Sequence, residues 1–142
     1  RDLGVDVEHL EGAGAAGGMG AALVAFFGGE LQRGIDVVLD AVGFDRRVRG
    51  VDAVVTGEGS FDSQSLHGKV IHGIATRAHR AGVPVHVLAG RVDPEVAAAA
   101  EPLGIASATS ITPEGTPIEA AMAGARDNLA RAAAELAGQL TS

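Results

Sequence analysis

The sequence predicts an α/β protein built on a parallel sheet with alternating strands and helices, of the Rossmann-like or flavodoxin-like kind. Three observations predict it. Short apolar runs of strand length recur at 52–56, 83–88 and 105–111. Segments with apolar residues three and four apart lie between and after them, the spacing of half-buried helices. Glycine or Asp-Pro marks the junctions, as at Gly82, Asp93-Pro94 and Gly104. Strands that alternate with helices in this way pair in parallel through crossovers.

Residues 1–10 alternate weakly, with Leu3, Val5 and Val7 set against Asp2, Asp6 and Glu8, so a short edge strand or the cut end of one is expected. Residues 11–20 hold five glycines and run into the apolar stretch 21–27, which reads as a helix closed by Gly28-Gly29. Two readings fit the glycines, Gly14, Gly17 and Gly18 among them. Either the free N–H groups of a helix start face an anion, or the helix packs so tightly that side chains would clash. Residues 34–42 place Ile35, Val38, Leu39 and Val42 on one helical face. Arg46, Arg47 and Arg49 follow on a further turn, which would suit a phosphate site but is expected to be a solvated face.

The second region, 51–142, is more regular. Residues 52–56 read as a buried strand, 57–68 as a loop, and 69–81 as a helix with Val70, Ile74, Ala75 and Ala78 inward. A second strand at 83–88 begins beside Pro84, where a missing N–H is tolerated. Asp93-Pro94 opens another helix in cap and first-turn order. After the strand at 105–111, Thr116-Pro117 starts a last helix to about Leu140, with Ile118, Ala121, Met122, Ala125, Leu129, Ala132, Ala133 and Leu136 on one stripe.

Composition narrows the function. At 142 residues and 46% apolar content, the chain suits one core or the parts of two small domains. A net charge of −7 and the lack of Tyr and Trp disfavour nucleic acid, whose phosphates need clustered cations and whose bases need stacking surfaces. No run approaches the roughly 20 apolar residues of a membrane-crossing helix, so no membrane partner is expected. With no cysteine there is neither disulfide frame nor thiolate chemistry, which fits a cytoplasmic location. The five histidines lack paired metal-ligand spacing, and His86, inside a strand, reads as a bonded core residue or a strand-end contact.

The densest polar stretch is 56–69, T-G-E-G-S-F-D-S-Q-S-L-H-G-K, at the point where a strand hands over to a helix. That is the usual ligand position in open α/β sheets. Together with G-A-G-A-A-G-G-M-G at 12–20 and R-A-G-V-P-V-H-V-L-A-G at 80–90, it resembles the bacterial glycerate kinases of the ATP-dependent, 2-phosphoglycerate-forming type, over most of the chain. Two departures stand out. Ser60 occupies a place commonly held by a basic residue, and Ile71-His72 stands where a proline is common.

The resemblance implies the carboxyl-terminal part of a two-domain kinase. Residues 1–50 would end an inserted second domain, and 51–142 would end the parallel α/β domain. The family's D-S-F-K-like motif and a further glycine-rich loop are not found here, so a missing amino-terminal part of the same protein is an expected partner, and the piece alone is expected to be inactive. A homo-oligomer is a further expected partner. The substrate implied is D-glycerate, and the cofactors are ATP and Mg²⁺.

Phosphoryl transfer needs positioning, cations on the phosphates, and a group that orients or deprotonates the attacking hydroxyl. On that basis Asp62 is the candidate Mg²⁺ ligand or hydroxyl base, and Glu58 the second catalytic carboxylate, unless it only holds the turn through backbone N–H groups. Lys69 would set a point charge by the transferred phosphate. Gly57, Gly59, Ser63, Gln64 and Ser65 are the substrate- and phosphate-binding candidates in the loop, with Gly14, Gly17 and Gly18 upstream. Ser63 or Ser65 also suits a plain helix cap. The alternative function is a non-catalytic carboxylate- or nucleotide-binding module, or a subunit-interface remnant.

Overall fold

The computed structural model describes residues 5–66 and 70–141. The chain divides into two compact units, Arg1–Val37 and Val38–Ser142.

In the first unit, residues 5–10 form turns and no strand. The Glu8 N–H bonds the Asp6 carboxylate and the Leu10 N–H bonds the Val7 carbonyl, so local bonds take the groups a strand would offer to a neighbour. Helix α1, Ala15–Phe27, is not regular at its start. Ala16, Gly17 and Gly18 have φ of 51°, 69° and 88°, and regular helix begins only after them. A Cβ at Gly14, Gly17 or Gly18 would meet no atom within 4 Å. The left-handed backbone, rather than close packing, is therefore what glycine serves at 17 and 18. Gly28, itself left-handed, ends the helix as expected, and Gly29 N–H returns to the Leu23 carbonyl.

Helix α2, Gly34–Ala41, spans the boundary between the units. Of its expected inward residues, Leu39 is buried and Ile35 half-buried, but Val38 and Val42 are exposed. Helix α3, Phe44–Arg47, follows, and Arg46, Arg47 and Arg49 are exposed as expected. Arg49 also lines a cavity of about 440 Å³ with Arg77, Arg80 and Asp45. Arg77, mostly covered, pairs with Asp40 and Asp45.

The second unit carries a three-stranded parallel sheet, β1 (Val54–Phe61), β2 (Val85–Val92) and β3 (Ile105–Ser110), in that spatial order. The three predicted strands are all present, but the first two are longer toward their carboxyl ends. Pairing does not stop at Thr56↔Val87. It continues through Gly57↔Leu88 and Glu58↔Ala89 to Phe61↔Val92. The T-G-E-G segment is therefore strand rather than loop. Glycine permits this, because a Cβ on Gly57 would lie 2.3 Å from the Leu88 carbonyl oxygen. Only a residue without one lets the two backbones stay paired there.

Side-chain alternation along β2 divides the core into two faces. Val85, Val87 and Ala89 pack with Ile71, Ala75 and Ala78 of α4 (Val70–Arg80) and with Val96 of α5 (Pro94–Ala99). Leu88 turns the other way, to Ala132 and Leu136 of α7 (Ala125–Leu140). The inward stripe of α4 is thus Ile71, Ala75 and Ala78. Val70 is 52% exposed and Ile74 half-buried, so the buried face sits one residue later than its periodicity suggested. The predicted last helix is two, α6 (Ile118–Ala123) and α7, meeting at Gly124. Of the expected stripe only Ala132 and Leu136 of α7 are buried; Ile118 and Met122 of α6 are exposed, and so are Ala125, Leu129 and Ala133 of α7. Asp93 caps α5 as expected, its side chain accepting from Glu95 and Val96 N–H, and Gly82 and Gly104 close their helices with positive φ. His86 is bonded, 2.8 Å from the hydroxyl of Ser107 on β3.

Candidate functional site

The carboxyl end of β1 feeds directly into a tight knot. Phe61 is fully buried and anchors the strand, and its carbonyl accepts from Asp93 N–H at 2.9 Å. Asp62 follows, then a single 3₁₀ turn, Ser63–Leu66. Asp62 Oδ1 accepts the Gln64 N–H at 2.9 Å, the side-chain-to-backbone turn that aspartate favours. Ser65 Oγ accepts the Asp62 N–H at 3.1 Å and donates to the Ser60 carbonyl at 3.3 Å. Ser65 is 1% exposed, and its hydroxyl is committed to the backbone on both sides of Phe61, at the Ser60 carbonyl and the Asp62 N–H.

The consequence is a fixed carboxylate. Asp62 is half-buried, its backbone N–H and Oδ1 are held, and Oδ2 accepts no hydrogen bond among the described residues. Ser63 and Gln64 are exposed at the turn's surface. Lys69 lies outside the described residues.

Glu58 stands four residues before Asp62. Pairing with Ala89 directs its side chain to the face of the sheet that α4 covers. There Glu58 Oε1 is buried with no hydrogen bond among the described residues, as is His72 Nδ1 on α4. The backbone bonds that a purely turn-holding glutamate would make are not seen among the described residues. An unsatisfied buried carboxylate oxygen costs on the order of 1–3 kcal/mol, and such atoms call for an explanation beyond packing. Gly59 has open space where its Cβ would be, unlike Gly57.

Mg²⁺ fits Asp62 as a lone carboxylate ligand, because this ion keeps several waters and binds through one or two carboxylates plus substrate phosphates. No group of three or more His, Asp or Glu among the described residues could cage a metal. Gly14, Gly17 and Gly18 belong to the other compact unit, and their left-handed backbone is described above.

Arg91 is a residue that sequence reasoning missed. It pairs with Ser60 across β1 and β2 at the carboxyl ends of both strands. Once β2 is seen to run past Leu88, residues 89–92 belong to the carboxyl-terminal end of the sheet. The signal that could have found it is the apolar run continuing through Ala89-Gly90 to Val92.

A parallel α/β sheet with a held carboxylate just past its first strand has the layout of an α/β protein whose loops at the carboxyl ends of the strands suit ligand binding. The comparisons make this specific. The model of the glycerate kinase family matches residues 1–141. The chain is 43% identical over 132 residues to a glycerate kinase of Bacillus cereus, covering 93% of this chain and 34% of that one. It is 42% identical over 138 residues to the glycerate 2-kinase of Escherichia coli, covering 97% and 36%. Its structure superposes on that of a protein assigned as glycerate kinase 2 in Salmonella typhimurium LT2 with a TM-score of 0.71, at 41% identity, over 99% of this chain and 36% of the other. The chain belongs to the glycerate kinase family. It spans about a third of the length of the curated relatives it matches.

Proposed function

We propose that the protein carrying this chain transfers the γ-phosphoryl group of ATP to a hydroxyl of D-glycerate, giving 2-phosphoglycerate. Support comes from membership of the family together with one observation: Asp62 is held at its backbone N–H by Ser65 Oγ and at Oδ1 by the Gln64 N–H, with Oδ2 left over. A group so held is positioned before substrate arrives, which is where most of the rate in phosphoryl transfer originates. Asp62 takes the hydroxyl proton or holds Mg²⁺. When bound, Mg²⁺ offsets charge on the phosphates. Ser63 and Gln64 offer neutral donors to the substrate, Glu58 supplies a second carboxylate from the strand, and Lys69 a cation. Residues 1–50, with Gly14, Gly17 and Gly18 near the start of α1, end the second domain of the same kinase. The reaction is cytoplasmic, and the remaining part of the protein completes the site.

Phosphorus NMR of the product tests this, using the protein extended to its gene's own start with D-glycerate, ATP and Mg²⁺. A phosphomonoester on the 2-hydroxyl is the expected outcome. Transfer to the 3-hydroxyl would overturn the regiochemistry, and ATP left intact in a folded protein would overturn the activity.

A further inference from the structure

Among the described residues, which do not include Lys69, the site is short of positive charge. Both Glu58 and Asp62 are acidic, while glycerate carries a carboxylate and ATP carries phosphates. Among the three strands, one residue is a lysine or arginine, Arg91. It is exposed, and it makes no hydrogen bond or ion pair among the described residues. Its position is not arbitrary. Ser60 lies opposite on β1, one residue before Phe61 and two before Asp62. Neighbouring residues of parallel strands project to the same side about 5 Å apart, and a diagonal neighbour is about 7–8 Å away, within reach of a long side chain. Glu58, paired with Ala89, faces the α4 side of the sheet, whereas Val92, next to Arg91, packs into that same cluster, so alternation changes at Gly59 and Gly90 and Arg91 projects away from Glu58.

We propose that Arg91 binds the anionic group of the substrate at the carboxyl end of the sheet, pairing its guanidinium with a carboxylate or phosphate. This deepens the kinase reading and rests on it. The chemistry is that of a planar guanidinium, whose paired N–H groups match two oxygens of either anion. Glycerate and ATP are the two sources of such an anion, and the kinetics separate them.

The test uses the protein extended to its gene's own start. Arg91→Gln is expected to raise the KM for one substrate at least tenfold, D-glycerate if the anion is the carboxylate and ATP if it is a phosphate. The double variant Ser60→Arg/Arg91→Ser, which moves the cation to the adjoining strand position, is expected to recover most of that loss. Unchanged KM values for both substrates would overturn the proposal. So would a loss that Arg91→Lys shows in full and the double variant does not relieve, since that pattern marks a structural role. Should the wild-type protein phosphorylate no glycerate, the kinase reading fails on its own. Arg91 is then judged by its Nε–H resonance, which moves on addition of D-glycerate or ATP if it binds the anion and stays put if it does not.

Discussion

Ser65 shows how much of the site is held by one hydroxyl. Its buried side chain bonds the Ser60 carbonyl and the Asp62 N–H, the backbone groups on either side of Phe61. Serine to alanine there leaves a part-buried N–H and carbonyl without their partner, at a cost of about 1–3 kcal/mol. Ser65→Ala is expected to lower the unfolding free energy by that amount in urea titration, and to lower turnover because Asp62 loses its restraint. A variant as stable as the parent would show that Ser65 does not hold the turn. The residue types of this stretch were legible as chemistry, since two carboxylates and neutral donors crowded into fourteen positions point to a ligand. Which of them faces a ligand and which serves the backbone was not. Serine has the same composition in both roles, and only the fold shows that Ser65 is covered while Ser63 is exposed.

Strand length is the lesson at the level of elements. The order of strands and helices was readable from apolar runs and glycine punctuation, and the parallel sheet follows that order. The reach of β1 was not, because G-E-G has the composition of a turn, and only pairing with β2 makes it extended. The two glycines therefore differ sharply. Gly57→Ala forces a Cβ to 2.3 Å from the Leu88 carbonyl oxygen, whereas Gly59→Ala meets nothing within 4 Å. The first is expected to destabilise by about 3 kcal/mol or more and the second by under about 1 kcal/mol, read as thermal midpoints of the two variants. Equal midpoints would mean that the β1–β2 register is not as described. The α6–α7 break escaped sequence reading for a related reason. Glycine costs only about 1 kcal/mol inside a helix, so Gly124 was compatible with a continuous one.

For the whole molecule, the apolar surface is the informative quantity. Phe26 and Phe27 end α1 at 65% and 80% exposure, and Ile118 and Met122 of α6 stand at 66% and 74%. Periodicity marked α6 as amphipathic, but the described residues do not cover its apolar side. Exposed apolar patches of this kind promote association. The 142-residue chain alone is expected to self-associate in light scattering at micromolar concentration, and a monodisperse monomer would contradict that. No helix among the described residues is long and apolar enough to cross a membrane.

The central claim is that the fixed carboxylate after β1 performs phosphoryl transfer to glycerate. The most direct measurement is D-glycerate-dependent ADP release by the protein extended to its gene's own start, compared with its Asp62→Asn variant over a range of Mg²⁺. The account predicts turnover in the parent and a fall of at least a hundredfold in the variant, with unfolding midpoints alike. A raised Mg²⁺ requirement would assign Asp62 to the metal, and an unchanged one to the hydroxyl proton. Equal turnover in parent and variant would contradict the account.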